Sequence, residues 1–274
     1  MLLSNFYNNG GEKMKKTVLS ALISMSLLAS LAKADDHETF TGGLDPNAPI
    51  NVQVQVCNLN PGKTQAQYDR MVNRYFAWAK KYDVETTFVR LNSFLTHANP
   101  NNPNNYDFIE LLGSDFETSG KAWDLWMSTP DGQKLNEEWV SLASCDIKMA
   151  ALNTQWAKID ELNSDDDRIA VWNWCSAKDG VSTEQLIAKH EALAEEYSDG
   201  LGNIGWFTFY PIIGGANAAG DFAHITVFPD MKGLMEHQEW FASGGWRARS
   251  DYYTYAECQG DQAFVETIMN RPGS

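Results

Sequence analysis

The residues best equipped for chemistry sit at alternating positions of six short segments rich in β-branched and aromatic side chains. They are Gln55, Arg90, Asn92 and Glu110 in the first part of the chain, and Asn173, Trp206, Tyr210 and His224 in the second. His224 titrates near neutrality, so it could take or give a proton. Trp206 and Tyr210 offer flat walls with a polar tip, and the amides both donate and accept. Together these types suit a pocket for a small aromatic or neutral-to-cationic molecule. Arg90 and Glu110 could instead satisfy each other, because a strand charge turned into a core is costly unless paired. His190 and His237 are secondary candidates on helical segments, and His190 reads first as a core position. No HExxH, CxxC, GxSxG or glycine-rich phosphate loop occurs. Asp165-Asp166-Asp167 lacks the alternating spacing of a calcium loop. No metal site is expected.

The elements that must position these residues occur twice. Cys57-Asn-Leu-Asn-Pro-Gly62-Lys-Thr64 returns as Cys175-Ser-Ala-Lys-Asp-Gly180-Val-Ser182, Asp107-Phe108 as Asp221-Phe222, Trp126 as Trp240, and Cys145 as Cys258. In each copy the pattern predicts strand, helix, strand, strand, helix, strand. The first strands are Asn51 to Cys57 and Ile169 to Cys175, with alternating apolar residues. Thr64 with Gln67, and Ser182 with Gln185, form capping boxes at the starts of the first helices. Strands two are predicted at 86–94 and 204–210, and strands three at 107–112 and 222–228. The second helix of copy one starts near Ser119 and breaks at Pro130; that of copy two spans 231–241. Strands four are predicted at 144–150 and 253–259, and the tail beyond Gln259 as a short helix. The domains are then 35–49 as a flexible lead-in, 50–162 as repeat 1, 163–168 as an acidic linker and 169–274 as repeat 2.

This βαββαβ order resembles the ferredoxin-like fold, and its duplication resembles the dimeric α/β-barrel superfamily. The resemblance implies an α+β chain of two tandem ferredoxin-like repeats in an intramolecular barrel-like arrangement. It also implies the strand order 4-1-3-2, which puts Cys57 beside Cys145 and Cys175 beside Cys258, so two disulfides within copies are expected. Helices should cover one face of each sheet, leaving the other faces to meet. Val52, Val54, Val56, Ala170, Trp172 and Trp174 are assigned to the helix side. The eight candidate residues, with His224 as the titratable group, are assigned to the space between the sheets. Some members oxidise electron-rich phenols with Trp, Asn and His positioning the substrate, and Asn173, Trp206, Tyr210 and His224 supply those types. Haem-binding members take an axial histidine from a helix, a role His190 or His237 could imitate, but the expectation is no cofactor.

Residues 14–34 carry the marks of a secretory signal: Met14-Lys15-Lys16, an apolar run from Val18 to Leu31, and Ala32-Lys33-Ala34 as cleavage site. Residues 1–13 read as a mistranslated leader. Export suits four cysteines that fit no zinc spacing. The chain has 21 Lys and Arg against 36 Asp and Glu. Residues 1–34 hold four of the lysines and one glutamate, so the remainder carries −18. Such a surface repels phosphate backbones and anionic lipid, so neither nucleic acid nor membrane is an expected partner. The expected protein is a periplasmic or secreted, disulfide-stapled monomer that binds a small molecule between its sheets. The alternatives are a cofactor-independent oxygenase- or isomerase-like enzyme and a protein-interaction module.

Overall fold

The computed structural model describes residues 38–96, 106–197 and 201–273. The expected leader, signal peptide and cleavage point, His97 and the Asn/Pro loop at 99–105 lie outside the described residues. In chain order the elements are β1 (Ile50–Leu59), α1 (Gln65–Tyr82), β2 (Thr87–Leu95), β3 (Phe108–Ser114), α2 (Phe116–Ser128), α3 (Pro130–Leu142) and β4 (Ala143–Ala157). They continue with α4 (Ile159–Ser164), β5 (Asp167–Ala177), α5 (Thr183–Tyr197), β6 (Gly205–Ile213), β7 (Phe222–Phe228), α6 (Met231–Trp240), α7 (Trp246–Tyr252) and β8 (Ala256–Asn270).

Local chemistry explains the helix starts. The Thr64 hydroxyl accepts from the Gln67 amide N–H while the Gln67 side chain accepts from Thr64 N–H at 2.9 Å. Ser182 and Gln185 repeat the exchange at 2.8 and 3.3 Å. Each box satisfies two of the donors that a helix start leaves without a partner. Between α2 and α3, Thr129 caps the second helix and Pro130 occupies its first turn, where a missing N–H costs nothing.

Among the described residues, eight antiparallel strands close into one barrel in the order β1-β3-β2-β8-β5-β7-β6-β4. Each half therefore runs 4-1-3-2 in its own strands. Cys57 faces Cys145 and Cys175 faces Cys258 in register, and both pairs are disulfide-bonded. Each bond closes a loop of more than 80 residues. In the chain-entropy view that stabilises by about 4–5 kcal/mol.

Three expectations are corrected. First, β4 and β8 are 15 residues each, about twice the expected length, and the tail beyond Gln259 is strand rather than helix. The first part of β4 pairs with β1 and its far part with β6; β8 likewise pairs with β5 and then β2. Gly260, at φ 107°, lets β8 bend beside the register shift at Asn173 and so continue into the other half. Second, the acidic linker is partly helical, since α4 ends at Ser164, and α7 was not foreseen.

Third, the sheet faces are inverted. Val52 and Val54 point into the barrel with Ala170, Trp172, Phe207, Phe209, Ile225 and Phe264. The face carrying Cys57, Phe88, Phe108 and Leu112 packs under α1–α3 against Tyr68, Met71, Val72 and Leu142. Closure is the reason. A small barrel has room for side chains and little else, so each strand turns its most apolar alternation inward. The polar alternation then meets the helices. Residues 38–49, read as a lead-in, bring Phe40 and Leu44 against the barrel core, and Thr41 N–H donates to Asn163 at 2.9 Å.

Candidate functional site

Inversion of the faces splits the eight candidates into two groups. None of them lines the cavity of about 150 Å³ inside the barrel, which is walled mainly by aliphatic and aromatic side chains. The pocket expected between the sheets is thus corrected to one cavity under the helices of each half.

In the first half, Gln55, Arg90 and Glu110 come together beneath α1–α3. Arg90 Nη2 lies 2.7 Å from Glu110 Oε1, and its Nη1 lies 2.7 Å from Asp69 Oδ1. Tyr68 Oη donates to Glu110 Oε2 at 2.7 Å and accepts from Trp139 Nε1 at 3.1 Å. Glu110 is fully buried. Burial pushes its carboxyl above the usual range, and Arg90 opposes that push. Asn92 stays exposed, outside this cluster. The ion pair is complete without a ligand, so Arg90 and Glu110 read as architecture.

The second half is different. Beneath α5, α6 and α7 lies a cavity of about 200 Å³ walled by Leu193, Trp206, Phe228, Leu234, Trp240 and Phe241. Asn173, Trp206 and His224 all line it; Tyr210 does not, and stacks on Phe222 instead. Asn173 is held by Asp261 Oδ1 at 2.8 Å and by Gly260 N–H at 3.0 Å, so its amide serves the strand bend. Asn203 also lines the cavity, is buried, and its side chain bonds to no described residue.

A hydrogen-bonded chain starts on the wall of this cavity, at Trp206, His224 and Tyr252, and ends at His190 behind it. Trp206 Nε1 lies 3.0 Å from His224 Nδ1, His224 Nε2 lies 2.8 Å from Tyr252 Oη, and Tyr252 Oη lies 2.9 Å from His190 Nε2. Its direction follows from one member. An indole N–H can only donate, so His224 Nδ1 must accept and a neutral His224 carries its proton on Nε2. That proton is donated to Tyr252, whose own proton then goes to His190 Nε2. His190 is left with its proton on Nδ1. Burial lowers His190 to about 4; burial and the neighbouring His190 lower His224 to about 3. Both rings are therefore neutral at pH 7. Burial raises Tyr252, which keeps its proton.

Sequence reasoning found His190, Trp206 and His224 but missed Tyr252, the link between them. Tyr252 is carried by α7, which exists because a π-turn at Phe241–Gly245, with Gly244 at φ 132°, re-aims the chain after α6. The one available signal was Gly244-Gly245 inside an otherwise helical pattern.

The neutral histidines give stability a pH dependence. An unfolded histidine binds a proton near pH 6.5, while the folded rings bind theirs near 4 and 3. Between these limits the unfolded state holds more protons, so stability falls as pH drops below about 6.5, at up to about 1.4 kcal/mol per pH unit for each ring. Urea unfolding at pH 7.5 and 5 should show this loss, and His190→Gln should reduce it. An unchanged midpoint across that range would mean that the folded rings take up protons at the same pH as unfolded histidines.

No family model matches the chain, and no curated protein matches it. Solved structures do. A candidate monooxygenase from Fusobacterium nucleatum subsp. nucleatum superposes with a TM-score of 0.50 at 9% identity, over 81% of this chain and 93% of that one. The fold is that of a dimeric α/β-barrel. An anthrone oxidase-like protein gives a TM-score of 0.47 at 9% identity, over 82% of this chain and 94% of that one. A mutant chlorite dismutase from Candidatus Nitrospira defluvii gives 0.47 at 7%, over 84% and 92%.

Chlorite dismutases are haem proteins, and their place among these dimeric α/β-barrels corrects the expectation that the chain takes no cofactor. Of the two helix histidines that could imitate an axial ligand, His190 has committed Nε2 to Tyr252. His237 lines the cavity, and its Nδ1 is buried without a hydrogen-bond partner. Burial also lowers its pKa, which favours the neutral ring an iron needs. The arrangement does not fit a haem: the free Nδ1 of His237 is covered rather than turned into the cavity, and about 200 Å³ is little more than the space that takes a benzene.

Proposed function

We propose that this chain is an exported enzyme of the oxygenase or isomerase type, moving a proton on a small phenolic or enolic molecule bound beneath α5–α7. The observation that carries the reading is the Trp206–His224–Tyr252–His190 chain, whose first three members line that cavity and whose last lies behind Tyr252. Tyr252 is the catalytic residue. Its oxygen accepts from His224 and donates to His190, which leaves one lone pair to accept a substrate O–H. As the substrate proton moves onto Tyr252, the proton Tyr252 already holds moves to His190 Nε2. The tyrosine is thus never left as a buried phenolate. His190, a weak base in this setting, holds the proton briefly and returns it.

Trp206 and His224 are positioning residues that hold this direction of donation, and the free amide of Asn203 can orient a second polar group of the substrate. The aromatic walls take its ring by stacking and edge contacts. The resulting phenolate or enolate is electron-rich. It can be reprotonated at carbon, which is isomerisation, or give electrons to dioxygen, which is oxygenation.

Export is supported by two disulfides, with no free cysteine among the described residues. A monomer is supported by a barrel that one chain closes. The matching strand orders, capping boxes and disulfides favour reading residues 50–162 and 169–274 as copies of one unit.

Purified full-length protein mixed with anthrones, naphthols and hydroquinones under air tests the function. Expected is catalysed oxygen uptake or an isomerised product, with quenching of tryptophan fluorescence. Saturable quenching without any turnover would overturn the enzyme reading in favour of a binding protein.

A further inference from the structure

The first half has its own cavity, of about 70 Å³, between β1–β3 and α1–α3. Its charged neighbours are matched. Glu110 has Arg90 and Tyr68, and Arg90 also has Asp69. Of the four indoles on its wall, Trp126 donates to Asn136 and Trp139 to Tyr68. The other two differ: the N–H groups of Trp78 and Trp123 are buried and hydrogen-bond to nothing. The side-chain amides of Gln53 and Gln55 line the same cavity, are more than nine-tenths buried, and bond to no described residue.

Leaving one buried donor or acceptor without a partner costs about 1–3 kcal/mol. Two such groups, the indole N–H of Trp78 and of Trp123, together with two carboxamides lining the same space, form a recognition surface lacking its complement. We infer that this cavity is a second binding site, for a small neutral amide- or urea-type molecule. The groups present define that class. Two indoles can only donate, so the occupant must accept at an oxygen. Two carboxamides both donate and accept, so a neighbouring N–H completes the match. Glu110 and Arg90 neutralise each other, which leaves no spare countercharge for an ion. The size limits it further, since a cavity of about 150 Å³ takes a molecule the size of benzene. A molecule of a few heavy atoms fits, its flat face against Tyr75 and Trp126.

The site belongs to the other half from the proposed catalytic cavity, so either can fail without the other. The test is a titration of full-length, ¹⁵N-tryptophan-labelled protein with acetamide, reading the indole N–H resonances by NMR. Expected are saturable shifts at Trp78 and Trp123, with small changes at Trp206. Gln55→Leu should weaken binding by about tenfold or more, the loss of roughly one good hydrogen bond. Trp123→Phe provides the same test should that variant fold poorly. Shifts that grow linearly without saturation, or that are equal at every indole, would overturn the site and leave ordered water as its content.

Discussion

Tyr252→Phe should fold and should lose about 10²- to 10⁴-fold in kcat, with KM changed little. The ring is packed among Cys175, Leu186, Phe222 and Ala256, and phenylalanine keeps those contacts. What disappears is one oxygen that serves two histidines. His224 Nε2–H then has no acceptor and His190 Nε2 no donor. The relay is cut in the middle while both ends remain. A merely structural tyrosine would show a different pattern: lower stability with kcat/KM within a fewfold of the parent. His190→Gln is the companion variant. It should still accept from Tyr252 but cannot take the proton, so kcat should again fall while binding persists. If both variants turn over at the parental rate, the hydrogen-bonded chain is not on the reaction path.

Glu110→Ala should destabilise the protein by about 3–5 kcal/mol. The reason is what stays behind. Arg90 cannot lose its charge, its side chain is 7% exposed, and its one other anionic partner among the described residues, Asp69, is 37% exposed. The substitution also removes the acceptor for the Tyr68 hydroxyl. Urea unfolding should show a lower midpoint with an unchanged slope. Replacing Arg90 and Glu110 together by Met and Leu should recover much of the loss, because the pair's attraction is largely offset by its own desolvation. A double variant as unstable as Glu110→Ala would mean that the guanidinium and carboxylate are needed for packing shape.

Much of the architecture was legible because it is local. Alternating valines at Val52 and Val54, and the Thr64 and Ser182 capping boxes, signal element types within a few residues. The fourth strands, placed at 144–150 and 253–259, were cut short because nothing local marks their continuation to Ala157 and Asn270. Only pairing with the other half makes those positions strand. Which alternation faces the helices was not legible either: the apolar face of β1 (Val52, Val54, Val56) could be covered by helices or by the other strands, and closure of the barrel decides between them. The site suffered the same way. His190 and His224 stood out by type, but Tyr252 reaches them through a bend at Gly244, a tertiary event with a faint local trace.

The two long strands also decide when this protein can become whole. β2 has β3 on one side and waits for β8 on the other, with Phe88 opposite Asn270 near the end of the chain. Until that last segment arrives, the first half has an open edge of the kind that recruits stray strands. Such distant pairing must also be reached before it is rewarded, which slows assembly. A chain truncated before residue 263 should therefore be an aggregating intermediate rather than a smaller working protein, and the final strand acts as the clasp that ends its exposure.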